Sequence, residues 1–107
     1  MTAKEYLQQI KKLETLIKNK GVEVKKAEKL GINTAVIKNE IERLVEDRAR
    51  RIENIQKLTE AEYDVLHKVY VQGKTLYEVA DERGISYSMA ATIHGRALKN
   101  LERIINN

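Results

Sequence analysis

The stretch from Thr75 to Ser86 leaves this chain few ways to fold. Thr75 and Glu78 stand three residues apart, where a hydroxyl and a carboxylate each satisfy an unpaired backbone N–H at a helix start. Ala80 follows, small enough for a second helix to cross closely. Gly84 comes four residues on, where a tight turn needs positive φ. Ile85 would plug the gap between the helices, and Ser86 would cap the next one. Ala90 and Ile93 then face inward, and Leu76 and Val79 complete a small core. These are the requirements of a helix-turn-helix, a motif whose second helix enters the major groove of DNA.

The rest of the sequence agrees with an all-α chain. It has no Pro and no Cys, and its charged fraction of 34% suits solvated helices. Without Cys there is no disulfide framework, and two His alone make a poor zinc site, so neither metal nor cofactor is expected. Nothing pairs a nucleophile with an oriented base, which argues against an enzyme. No apolar run approaches the roughly 20 residues that span a bilayer. The opening MTAKEYLQQIKK lacks the apolar core of a signal peptide, so no membrane partner and a cytoplasmic location in a bacterial cell are expected.

Gly21, Gly31, Gly73 and Gly84 each follow a helix-forming run and read as left-handed caps. The spacing predicts a first helix over Ala3–Lys20, opened by a Thr2–Glu5 capping box, with Tyr6, Ile10, Leu13 and Ile17 on one face. A short helix over Val22–Leu30 follows, then a long one over Thr34–Lys57, about 36 Å at 1.5 Å per residue. Ile37, Ile41, Leu44, Ile52, Ile55 and Leu58 run down its side, interrupted by Arg48. The stripe is either a core face against the first helix or a dimer seam, and a homodimer is the favoured expectation. Arg48, Arg50 and Arg51 read as surface partners of nearby acids (Glu46–Arg50, Asp47–Arg51) sooner than as phosphate contacts. Thr59 and Glu62 form another capping box, with Leu58 and Tyr63 placed as a hydrophobic staple, and that helix should run to Gly73. The final helix should extend from Ser86 to about Ile105. The chain divides on this reading into a helical arm and connecting helix, residues 1–57, and a helix-turn-helix domain, residues 58–107.

Residues 27–41 echo the C-terminal spacing: Ala27, Gly31, Ile32, Asn33 and Ile37 match Ala80, Gly84, Ile85, Ser86 and Ala90 in offset. A second, degenerate helix-turn-helix over 22–44 is one reading. A plain helical hairpin is the favoured one.

The segment LTEAEYDVLHKVYVQGKTLYEVADERGISYSMAATIHGRALKNL, residues 58–101, resembles sigma-70 region 4. The residues that carry the likeness are Leu58, Leu66, Tyr70, Gly73, Thr75, Leu76, Glu78, Val79, Ala80, Gly84, Ile85, Ser86, Ile93, Arg96, Ala97, Leu98 and Leu101. The start MTAKEYLQQIKKLETLI together with IHGRALKNL is also similar to small phage late-transcription regulators of the RinA/ArpU kind. These resemblances imply a regulator that binds double-stranded DNA, activates late genes in a phage or mobile element, and contacts RNA polymerase.

By the same resemblance Tyr87, Ser88, Met89, Ala91 and Thr92 face the groove. Ser and Thr can bond several base edges, while Met, Ala and the Thr methyl can pack on thymine. Arg, Asn and Gln are missing there, so base readout should be modest. Lys74, Thr75, Tyr77, Arg83, Arg96 and Lys99 are the candidate phosphate contacts, helped by free N–H groups at the helix start after Thr75. Gly95, in mid-helix, reads first as a tight crossing with a neighbouring helix and second as a close approach of DNA or polymerase. Charge complicates the picture: residues 1–57 carry +5 and residues 58–107 carry −1. A module of −1 attracts phosphates poorly, so the arm or a second copy should supply the attraction. Two other functions fit: a protein-binding module that docks on polymerase without reading bases, and a small terminase-like DNA-packaging adaptor.

Overall fold

A computed structural model describes residues 1–107 as five α-helices. They are α1 (Ala3–Lys29), α2 (Ala35–Ile55), α3 (Glu60–Leu66), α4 (Leu76–Arg83) and α5 (Tyr87–Ile105), with a π-helical turn His67–Val71 continuing α3. The molecule measures 55 × 32 × 19 Å, elongated because α1 and α2 pair as a long hairpin.

The two N-terminal helices expected before residue 31 are one. α1 runs straight through Gly21, and positive φ appears only at Gly31, Gly73 and Gly84. A helical Gly costs about 1 kcal/mol relative to Ala. Contacts on both sides of Gly21 offset it: Lys20 pairs with Glu40 of α2 at 2.6 Å, and Val24 is buried. The turn therefore falls at Gly31, whose φ of 71° closes the helix. Asn33 then accepts the Ala35 N–H at 2.9 Å and starts α2, while the hydroxyl of Thr34 makes no cap bond.

This corner is a helical hairpin, not a second helix-turn-helix. Ile32, which would have to plug the gap between helices, is 57% exposed. The α2 stripe is turned toward α1. Arg48, its polar interruption, reaches Glu14 of α1 through Nε and Nη2 at 3.2 and 2.8 Å. Arg51 lies over the Tyr6 ring, 4.5 Å from its centroid, and donates to the Tyr6 carbonyl at 2.8 Å. Of the expected local pairs, Asp47–Arg51 forms at 3.1 Å, whereas Arg50 turns to Asp47 at 3.6 Å instead of Glu46.

The residue-57 boundary does not separate two cores. Ala3, Leu7 and Ile10 of α1, Ile55 of α2, Leu66 and Tyr70 of the third helix, and Ala97 and Leu101 of α5 form one buried cluster. The first three turns of α1 thus complete the core on which α5 rests, and only the distal part of the hairpin projects as an arm. A smaller cluster of Val65, Val79 and Ile93, covered by Leu76 and Ile85, joins α3, α4 and α5.

Candidate nucleic-acid interface

Local chemistry places α4 and α5 as the sequence predicts. The Thr75 hydroxyl accepts the Glu78 N–H at 3.2 Å and the Glu78 carboxylate accepts the Thr75 N–H at 3.2 Å. Gly84 sits in the left-handed region at φ 67°, and the Ile85 N–H returns to the Ala80 carbonyl at 3.0 Å. Ser86 caps α5 by accepting the Met89 N–H at 3.0 Å. Ala80, Ala90 and Ile93 are buried at the crossing.

The helix before them is not uniform. The α-helix opened by the Thr59–Glu62 capping box widens at His67, where the Gln72 N–H reaches back five residues to the His67 carbonyl at 3.0 Å. Gly73, at φ 74°, ends this turn. The Tyr70 hydroxyl sits 2.9 Å from His94 Nε2 of α5 with the two rings stacked. His94 is held below its ordinary value, first by burial and then by the nearby charge of Lys4. Burial raises Tyr70. The ring of His94 therefore links α5 to the core in surroundings that favour its neutral form.

α5 buries Ala90, Ile93, Ala97 and Leu101 and turns its other side to solvent. Tyr87, Ser88, Met89 and Thr92 are exposed, with Met89 at 51%, and Ala91 is half-buried. The Thr92 hydroxyl donates to the Ser88 carbonyl at 3.0 Å. Tyr87 stacks on Tyr77 of α4 with centroids 4.3 Å apart and planes at 22°. This exposed aromatic pair bridges the first turns of both helices.

Most of the cations named from sequence are engaged inside the domain. Arg83 is held by Asp64 at 2.7 Å and Glu60 at 3.2 Å of α3. Lys74 pairs with Glu82, which also meets Lys68 at 3.5 Å. Arg96 donates to buried Glu62 at 3.2 Å, yet its side chain is 56% exposed. Lys99 forms no ion pair and is exposed, as is Arg103, which sequence reasoning passed over. Four residues beyond Lys99, it shares the outward line of Thr92 and Lys99 on α5, and helical spacing alone would have found it. At the start of α4, the Glu78 carboxylate already sits at the helix dipole, so the expected open anion site there is not open.

Gly95 marks no helix crossing. A Cβ built there would meet nothing within 4 Å, so no neighbour in the fold requires a glycine. It lies instead on the outward side, in a shallow concavity with Ala91, Thr92, Arg96, Lys99 and Glu102. No helix is long and apolar enough to cross a membrane.

Comparison with known proteins agrees with this geometry. Residues 55–103 match the family model of Sigma-70, region 4. Over 49 residues the chain is 43% identical to the RNA polymerase sigma factor SigO of Bacillus subtilis (strain 168), covering 46% of this chain and 28% of that protein. The chain thus spans under a third of the length of that relative. No solved structure matches it.

Proposed function

We propose that the protein uses its sigma-70 region 4-like helix-turn-helix, residues 55–103, to bind double-stranded DNA and regulate transcription. The observation that carries this reading is the division of α5: one side is locked into the core and the other is exposed at Ser88, Thr92 and Lys99. Ser88 and Thr92 would meet base edges, with Met89 and Ala91 packing on thymine methyls. Lys99, Arg103 and the exposed guanidinium of Arg96 would meet phosphates, with the hydroxyls of Tyr77 and Tyr87 as neutral donors. Lys74 and Arg83 contribute less, because their carboxylate partners must first give them up. The open backbone at Gly95 suits a close approach by the sugar-phosphate chain.

Activation of late genes in a phage or mobile element, contact with RNA polymerase and a homodimer belong to the same proposal. A second reading, docking on polymerase or another regulator without base readout, is favoured by one observation: four of the six cations in residues 58–107 are already paired with acids. A shift assay at low and moderate salt separates the two. DNA binding must weaken steeply as salt rises, and Thr92→Glu, at an exposed site, must abolish it. Binding to duplex DNA that tolerates Thr92→Glu would sink the placement of α5 in the groove.

A further inference from the structure

The charge of the molecule is concentrated away from the helix-turn-helix. Residues 18–38 carry six Lys against two Glu, which equals the +4 of the whole chain. Along α1 the order is not random. Lys11, Lys18 and Lys25 stand seven residues apart and Lys29 four further on. Seven residues turn an α-helix to within about 20° of two full turns, so the four lysines share one line. All four are exposed. Lys18, Lys25 and Lys29 are in no ion pair, and Lys11 meets Glu14 at 3.4 Å while its side chain stays 53% exposed. The acids of α1 lie elsewhere or are engaged: Glu5 and Glu23 stand about 120° or more round the helix, and Glu28, about 60° from Lys25, pairs with Lys38 of α2 at 3.1 Å. Glu14 is turned onto Arg48 of α2. The line is about 27 Å long at 1.5 Å per residue, close to the length of 8 base pairs.

This line begins beside the entry to the helix-turn-helix. Lys11 lies over Gly73, where an added Cβ would sit 3.8 Å from its Cε, and Gly73 leads directly into Lys74 and α4. We propose that the ridge Lys11–Lys18–Lys25–Lys29 is a second phosphate-binding surface that runs along the duplex beyond the site covered by α5. It rests on the reading of α5 as the groove-binding helix. A straight row of exposed ammonium groups, three of them unpaired, complements a regular polyanion, and duplex DNA is the polyanion that the adjoining motif already brings close. The ridge also resolves the charge deficit of the C-terminal half. It supplies the sequence-independent attraction that this half lacks, while α5 supplies position.

The test uses the full chain and a fluorescent duplex of arbitrary sequence, about 30 base pairs, which accommodates a helix-turn-helix site of about 10 beside the ridge. Affinity is followed from about 50 to 200 mM salt. The variant Lys18→Gln/Lys25→Gln/Lys29→Gln is compared with Lys12→Gln/Arg43→Gln/Lys57→Gln, which removes equal charge away from the ridge. Circular dichroism verifies that both keep their helices. The ridge variant should lose about 2–3 from the magnitude of the log–log salt slope, near 0.9 per phosphate contact, and bind at least about tenfold more weakly at low salt. The control should lose much less. Equal losses in the two variants, or no loss in the ridge variant, overturn the proposal. Thr92→Glu reports separately on α5: if it leaves binding intact while the ridge variant loses it, the ridge is upheld and the α5 reading falls. Absence of any duplex binding by the unaltered chain overturns both.

Discussion

The carboxylate of Glu62, 2% exposed, accepts a hydrogen bond from the guanidinium of Arg96, Nε to Oε2 3.2 Å. The same oxygen accepts from the Asn100 amide at 2.8 Å, and the other oxygen accepts the Thr59 N–H at 3.3 Å. One side chain therefore closes the start of α3 and fastens the middle of α5 to it. A helix that presses on DNA needs such an anchor, because the fixed groups set the angle of the free ones.

Removing that anchor should loosen the domain. Glu62→Ala deletes a capping box and a charge-assisted bond, and about 2–3 kcal/mol of stability should be lost. Urea unfolding of the full chain measures it. A loss below about 0.5 kcal/mol would mean the carboxylate is not a structural tie.

Acid should act through the same group. Burial works to raise the Glu62 carboxyl, but hydrogen bonds from Thr59, Asn100 and Arg96 outweigh it and hold it below its ordinary value of 4.5. A carboxyl depressed in the fold contributes stability that is complete above 4.5 and declines as pH falls through the lower folded value. Asp64 is lowered in the same way: burial opposes the shift, and Arg83 and Lys68 prevail. The urea midpoint should therefore fall as pH is taken below about 4.5, and fall less steeply in Glu62→Gln. A midpoint unchanged down to pH about 3 would contradict this.

His94 gives a second, milder pH effect with its own window. Its folded value lies below the ordinary 6.5, so the folded chain resists the proton that the unfolded chain accepts. Stability contributed by the neutral ring is complete above 6.5 and declines from there down to the folded value. Proton NMR of the imidazole should show titration below 6.5, shifting up slightly in Lys4→Gln, since burial is the larger cause. Titration at or above 6.5 would show that the ring is solvated.

Three glycines should answer Ala substitution with different signs. Gly21 and Gly95 are helical and open around the Cβ position, so each change should stabilise by roughly 0.5–1 kcal/mol. Gly84 is at φ 67°, and Ala there should cost about 1–2 kcal/mol. Thermal unfolding ranks the three. If DNA runs close to Gly95, Gly95→Ala will bind DNA more weakly despite its higher melting temperature. Unchanged affinity would remove Gly95 from the interface.

The helix-turn-helix was legible because its chemistry is local. A hydroxyl and carboxylate three residues apart, Gly84 at the corner and Ser86 before α5 act within single turns, and each lies in the structure where the sequence puts it. The partners of charged side chains were not legible. Arg83 reads as a surface cation until α3 brings Glu60 and Asp64 to it from 23 and 19 residues away. Arg48 breaks an apolar stripe until Glu14 of α1 meets it. Gly21 reads as a stop because local signals cannot weigh the contacts that carry α1 past it.

Local signals were enough for α4 and α5, their caps and the side of α5 that turns inward, since backbone bonding and apolar spacing act within a few residues. Tertiary structure alone decided that the N-terminal turns of α1 belong to the same core, that the remainder is a projecting hairpin, and which cations stay free. Those outcomes depend on groups far apart in the chain, and only packing brings them within bonding distance.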